Sequence, residues 1–204
     1  KLPNMYRQFL DIQMLDISKS PMEVAPTAHY SMGGIVVECN THMTNINGLY
    51  ACGEVASGLH GANRLGGNSL TEILVFGKKT GLAASKYSKN LKFQFRDKEM
   101  VENELNKIDN CVKKGNFSGR KLEHELQIIM WENCGVLRNK TSLLDGLNKI
   151  KKIKSKLSEL DVNINSSNYD DLVTSFNLKA SVITSEATIL SALSREESRG
   201  SHQR

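Results

Sequence analysis

Leu59-His60-Gly61-Ala62-Asn63-Arg64-Leu65-Gly66-Gly67-Asn68-Ser69-Leu70 is the stretch on which the fold turns. Small residues flank Arg64 on both sides, so a ligand can approach the backbone closely there. A guanidinium in that setting can hold a carboxylate with two parallel hydrogen bonds. Beyond the loop, Leu70, Ile73, Leu74 and Gly77 fall at helical spacing, which starts a helix at Asn68-Ser69. A helix that begins directly behind glycines presents its first backbone N–H groups and the positive end of its dipole to whatever fills the loop. The loop and helix start thus suit an anion or the polar edge of a flavin. An arginine in a glycine loop also serves in salt bridges or faces solvent, and that reading stands beside the first.

Upstream, Gly34-Ile35-Val36-Val37-Glu38 and Gly48-Leu49-Tyr50-Ala51-Cys52-Gly53 read as short strands, the second buried and ending abruptly at a glycine. It delivers Glu54 just past its C-terminal end, where α/β sheets bind ligands and an acidic group accepts hydrogen bonds from sugar hydroxyls. Glu54 as a turn-capping surface residue is the alternative. Further back, Thr27-Ala28-His29-Tyr30-Ser31-Met32-Gly33-Gly34 places a histidine before paired glycines. His29 can donate to an anionic substrate, or serve as a satisfied structural residue. Each of these signals is weak alone; together, on loops around one expected sheet, they are more specific.

Downstream the character changes. Ten of the 15 glycines lie between Gly33 and Gly81, and no proline follows residue 90. Helical periods run over about 97–114, 118–137, 140–160 and 169–198. In the third, Leu143, Leu147, Ile150, Ile153, Leu157 and Leu160 form an apolar stripe, with the lysines between Lys149 and Lys156 mostly on the opposite, solvated face. In the fourth, Leu172, Phe176, Ala180, Ile183, Ala187 and Leu190 read as the packed stripe of a bundle helix.

Composition bounds the function. The 27 basic and 22 acidic side chains of the 204 residues give a net charge of +5, spread along the chain, and do not single out nucleic acid as a partner. No run of apolar residues is long enough to span a membrane, and no secretory leader opens the sequence. Cys39, Cys52, Cys111 and Cys134 are dispersed, without zinc-site spacing, which favours a reduced intracellular chain with no metal.

Three of these motifs carry a resemblance. Thr27 to Gly34, Gly48 to Glu54 and His60 to Leu70 closely resemble the flavoprotein subunits of succinate dehydrogenase and fumarate reductase, with L-aspartate oxidase a near relative. Met130-Trp131-Glu132-Asn133-Cys134-Gly135-Val136-Leu137-Arg138 and Ser194-Arg195-Glu196-Glu197-Ser198-Arg199-Gly200-Ser201-His202 resemble motifs of the same family's C-terminal helical domain. The likeness runs in order over nearly the whole chain.

The resemblance implies an α+β fragment: residues 1–24 the end of a capping domain, 25–90 the closing segment of an FAD-binding α/β (Rossmann-like) domain, and 91–204 a C-terminal helical bundle. His29 and Arg64 would bind the carboxylates of a dicarboxylate. Glu54 would contact the flavin nucleotide, and Asn68, Ser69 and Leu70 would meet the isoalloxazine end. The reaction implied is hydride exchange between flavin N5 and succinate or fumarate. Partners would be an iron–sulfur subunit, with a membrane anchor reached through it, and the chain would lie peripherally on the cytoplasmic or matrix face. The family's pyrophosphate-binding G-x-G-x-x-G, its histidine region for covalent FAD and its proton-transferring arginine are not among these residues, so the fragment alone is expected to be inactive. Arg64-Leu65-Gly66-Gly67-Asn68-Ser69-Leu70 resembles the dehydrogenase and reductase branch more than the oxidases, whereas the compact Glu54–His60 segment is similar to that of aspartate oxidase and some prokaryotic reductases. A non-catalytic helical interaction module is the reading from another class; it would have no need of His29, Glu54 and Arg64.

Overall fold

The computed structural model describes residues 3–25, 29–92, 97–164 and 169–204. The chain divides into two compact units, Lys1–Ser31 and Met32–Arg204. The first holds one helix, α1 (Pro3–Gln13), with Pro3 at its first position, where a missing N–H costs nothing. Asp16 then closes a turn by accepting from the Ser18 amide and hydroxyl.

The second unit opens with irregular chain. The two expected strands do not form as regular elements. Ile35 makes a single parallel bridge to Ala56, and Met43 a single antiparallel bridge to Tyr50. Ile35 and Val36 are 42% and 78% exposed, so apolar alternation finds no ladder to join among the described residues. Cys52, expected in a buried strand, lies half-buried in irregular chain. What orders this region is α2 (Asn68–Lys89). His42 stacks on Phe76 of that helix with ring centroids 4.6 Å apart, and its Nδ1 donates to the Ala51 carbonyl at 3.1 Å. Tyr50 meets Tyr87 edge to face at 6.3 Å.

The remaining helices follow the expected periods: α3 (Lys98–Asp109), α4 (Gly119–Cys134), α5 (Lys140–Lys156) and α6 (Asp170–Ser194). Their starts have chemical causes. The Asp97 carboxylate accepts from the Glu99 amide, and the Asn139 side chain accepts from the Ser142 amide at 2.8 Å. Two-residue strands β1 (Phe117–Ser118) and β2 (Leu160–Asp161) pair in parallel, closing the space beside α4 and α5.

The core sits where α4, α5 and α6 pack against one another. Leu143, Ile150 and Ile153 of α5 are fully buried, as the stripe predicts, each contributing roughly 2 kcal/mol. On α6 the buried face is not the one expected. Ser175, Leu178, Val182, Ser185, Ile189 and Ala192 point inward, while Phe176, Ile183 and Leu190 are 43%, 63% and 49% exposed. Apolar and polar residues are interspersed all round the helix, so hydrophobicity does not set its phase. Small side chains on the inward face do, because they let three helices approach closely; Ser175 satisfies its hydroxyl by donating to the Leu172 carbonyl at 2.8 Å.

Candidate functional site

Gly67 is the N-cap of α2. Its φ of +84° is costly for any residue with a Cβ, and it offers no side chain to the first-turn amides. No acidic residue lies in that turn. The helix start therefore presents donors and partial positive charge, with nothing within 4 Å of where a Cβ would stand at Gly66 or Gly67. Asn68 is exposed, Ser69 half-buried and Leu70 66% exposed. These residues fit the carbonyl edge of a flavin or another anionic group: uncapped N–H donors, an open cradle and an apolar side chain at its rim.

Arg64 is half-buried in the loop just before this cap, and its Nη1 donates to the Leu65 carbonyl at 3.2 Å. Glu54 is exposed on the turn that follows Gly53. Five of the six predicted residues, Glu54, Arg64, Asn68, Ser69 and Leu70, thus fall on one continuous loop and helix start of the second unit. His29 is exposed and belongs to the first unit.

Sequence reasoning missed what holds this loop. His60 Nε2 lies 2.7 Å from Oε2 of Glu72, whose carboxylate is 1% exposed and the histidine side chain 10%. A carboxylate this deep is tolerated because it is paired and hydrogen-bonded. The available signal was a single acid in the second turn of a helix whose neighbours Leu70, Ile73 and Leu74 are apolar. In the folded chain those apolar residues are exposed, and Glu72 and Thr80 are the buried ones.

Comparison with known proteins bears on both ends of the chain. Residues 2–70 match the FAD binding domain family, and residues 123–204 match the family described as fumarate reductase flavoprotein C-term. One subunit of the fumarate reductase (CoM/CoB) of Methanothermobacter marburgensis is 39% identical over 204 residues, all of this chain and 37% of the relative. The fumarate reductase flavoprotein subunit of Escherichia coli is 36% identical over 197 residues, 93% of this chain and 32% of the relative. The chain belongs to the succinate dehydrogenase and fumarate reductase flavoprotein family.

The structural comparison agrees. Mycobacterium smegmatis Sdh1 in complex with UQ1 superposes with a TM-score of 0.89 at 34% identity, covering all of this chain and 34% of that one. The flavoprotein chain spans about a third of the length of the curated relatives it matches. Its architecture is therefore part of an FAD-binding domain followed by a C-terminal helical domain, the α+β arrangement expected from its motifs. The loop that ends in Gly67 lies within the FAD-binding match, and FAD is the cofactor its cradle suits.

Proposed function

We propose that the polypeptide carrying these residues interconverts succinate and fumarate. The observation that supports this most directly is Arg64, half-buried in a glycine loop that leads into the uncapped start of α2, within a chain that matches the flavoprotein family at both ends. In this reading residues 1–24 close a capping domain, 25–90 complete the FAD-binding domain and 91–204 form the bundle.

FAD, which Glu54, Ser69 and the first-turn amides of α2 would hold, would supply the hydride chemistry that links succinate and fumarate. The chain's residues prepare that exchange. Arg64 and His29 hold the substrate carboxylates, fixing a carbon over the flavin and, for fumarate, drawing electron density toward the bound carboxylate. Glu54 accepts hydrogen bonds from hydroxyls of the flavin nucleotide. The first-turn amides and Ser69 of α2 donate to the flavin's polar edge, stabilising the negative charge that develops there. An iron–sulfur subunit, linked to a membrane anchor, takes the electrons onward, which places the chain peripherally on the cytoplasmic or matrix face. No helix of the described residues is long and apolar enough to cross a membrane.

The test uses the full-length polypeptide, loaded with flavin and assayed with succinate and with L-aspartate, using an artificial electron acceptor and then oxygen. Arg64→Ala removes a two-bond carboxylate grip worth roughly 2–3 kcal/mol, so succinate turnover at subsaturating substrate should fall about 30- to 160-fold with flavin content retained. Aspartate-dependent peroxide would move the protein to the oxidase branch. A full-length chain without flavin would leave only a helical interaction module.

A further inference from the structure

The last residues of the chain return to the loop that carries Arg64. Arg199 and His202 close a turn through reciprocal backbone hydrogen bonds of 2.9 and 3.1 Å, with Gly200 between them at φ +61°. A Cβ on Gly200 would lie 2.2 Å from the Ala62 carbonyl oxygen and 2.9 Å from the Ala62 Cβ, so turn and loop are in direct contact with no room for a methyl group. The cleft beside this contact is lined by Gly61 and Ala62 on one side and Arg195, Glu197 and Arg199 on the other.

The turn is fastened firmly to the bundle. Arg204 Nη1 donates to the carbonyls of Ala192, Leu193 and Arg195 at 2.7, 3.1 and 2.7 Å, occupying acceptors that the end of α6 would leave open. The Ser198 hydroxyl both donates to the Arg204 carbonyl and accepts from the Arg204 amide. His202, 5% exposed, accepts from Arg138 at Nδ1 and donates through Nε2 to the Arg195 carbonyl.

We infer that Gly200 is a positioning residue for the substrate: the C-terminal turn seats Ala62, and through it sets the place of Arg64 two residues further on. The inference rests on Arg64 being a carboxylate ligand. His60 and Glu72 fix one point of the loop. Contact at Ala62, two residues nearer to Arg64, adds another and limits how the loop can pivot there. A two-bond grip is sensitive to such a pivot, since misplacement by about 1 Å can cost on the order of a hundredfold.

The experiment measures malonate, an unreactive dicarboxylate, binding to the flavin-loaded full-length polypeptide through its perturbation of the flavin spectrum. Gly200→Ala is expected to raise the malonate Kd roughly ten- to a hundredfold with flavin content unchanged. Ser198→Ala, which loosens the turn without adding an atom at the contact, is expected to act in the same direction and less. In an Arg64→Ala background Gly200→Ala should add no more than about twofold, because both changes act through one guanidinium. A Gly200→Ala protein with unaltered malonate affinity overturns the inference, as does a loss that persists undiminished in the Arg64→Ala background. Should Gly200→Ala fail to accumulate, unchanged malonate affinity in Ser198→Ala overturns it instead. Arg64→Ala with unaltered malonate affinity defeats the reading of the site itself, a separate outcome.

Discussion

Glu72 and His60 are separated by 12 residues in sequence and by 2.7 Å between their side-chain atoms. Removing the carboxylate takes a 2.7 Å partner from a nearly buried histidine, so Glu72→Ala should destabilise the full-length protein by about 3 kcal/mol in urea unfolding, and Glu72→Gln by less because the amide keeps a hydrogen bond. Glu38 offers a different test. Its carboxylate accepts from the backbone amides of Asn40 and Thr41 and from both their side chains, which draws its pKa from the ordinary 4.5 to about 2. A depressed folded-state pKa means that its contribution is complete above about 4.5 and disappears as pH falls through about 2. The stability gap between the native protein and Glu38→Gln should therefore be constant near neutrality and close across that window. Arg64, Glu54 and Ser69 could be singled out as candidates because polar and charged side chains stand among glycines in a short span. The Glu72–His60 pair was not: an acid on a helix gives no sign that the helix turns it inward.

Among elements, the helical half was read well and the strands poorly, for one physical reason. A helix satisfies its own backbone, so Leu143, Ile150 and Ile153 announce α5 without reference to anything else. Strand-like segments such as Ile35–Val37 need neighbours to become strands, and here they find isolated bridges. Even a correct helix can be read in the wrong phase: on α6 the bulkier Phe176, Ile183 and Leu190 suggested the packed face, while Ser175 and Ser185 occupy it. The same demand for closeness appears at Gly146 on α5. A Cβ there would stand 2.7 Å from Cβ of buried Asn133 on α4 and 3.0 Å from Cδ1 of Ile189 on α6, and Asn133 is tied to the Ile129 carbonyl at 3.0 Å. Alanine gains about 1 kcal/mol of helix propensity but overpacks the junction by roughly 1–3 kcal/mol. Gly146→Ala should thus lower stability by up to about 2 kcal/mol, measurable by urea unfolding, whereas substituting an exposed α5 position such as Asn148 should change little.

For the molecule as a whole, the drop in glycine content after Gly81 marked the passage from loop-built site to helical bundle, and the two family matches fall on either side of it. Composition could not reveal that the two halves touch, since Gly200 against Ala62 is a contact between distant parts of the chain. That contact sets an order of events during synthesis. The ribosome releases Ala62 long before Gly200, and at roughly 5–20 residues per second the interval is about 7–28 seconds. Throughout it the arginine loop waits without this contact, so the nascent site stays unfinished until the Arg199–His202 turn has emerged and docked.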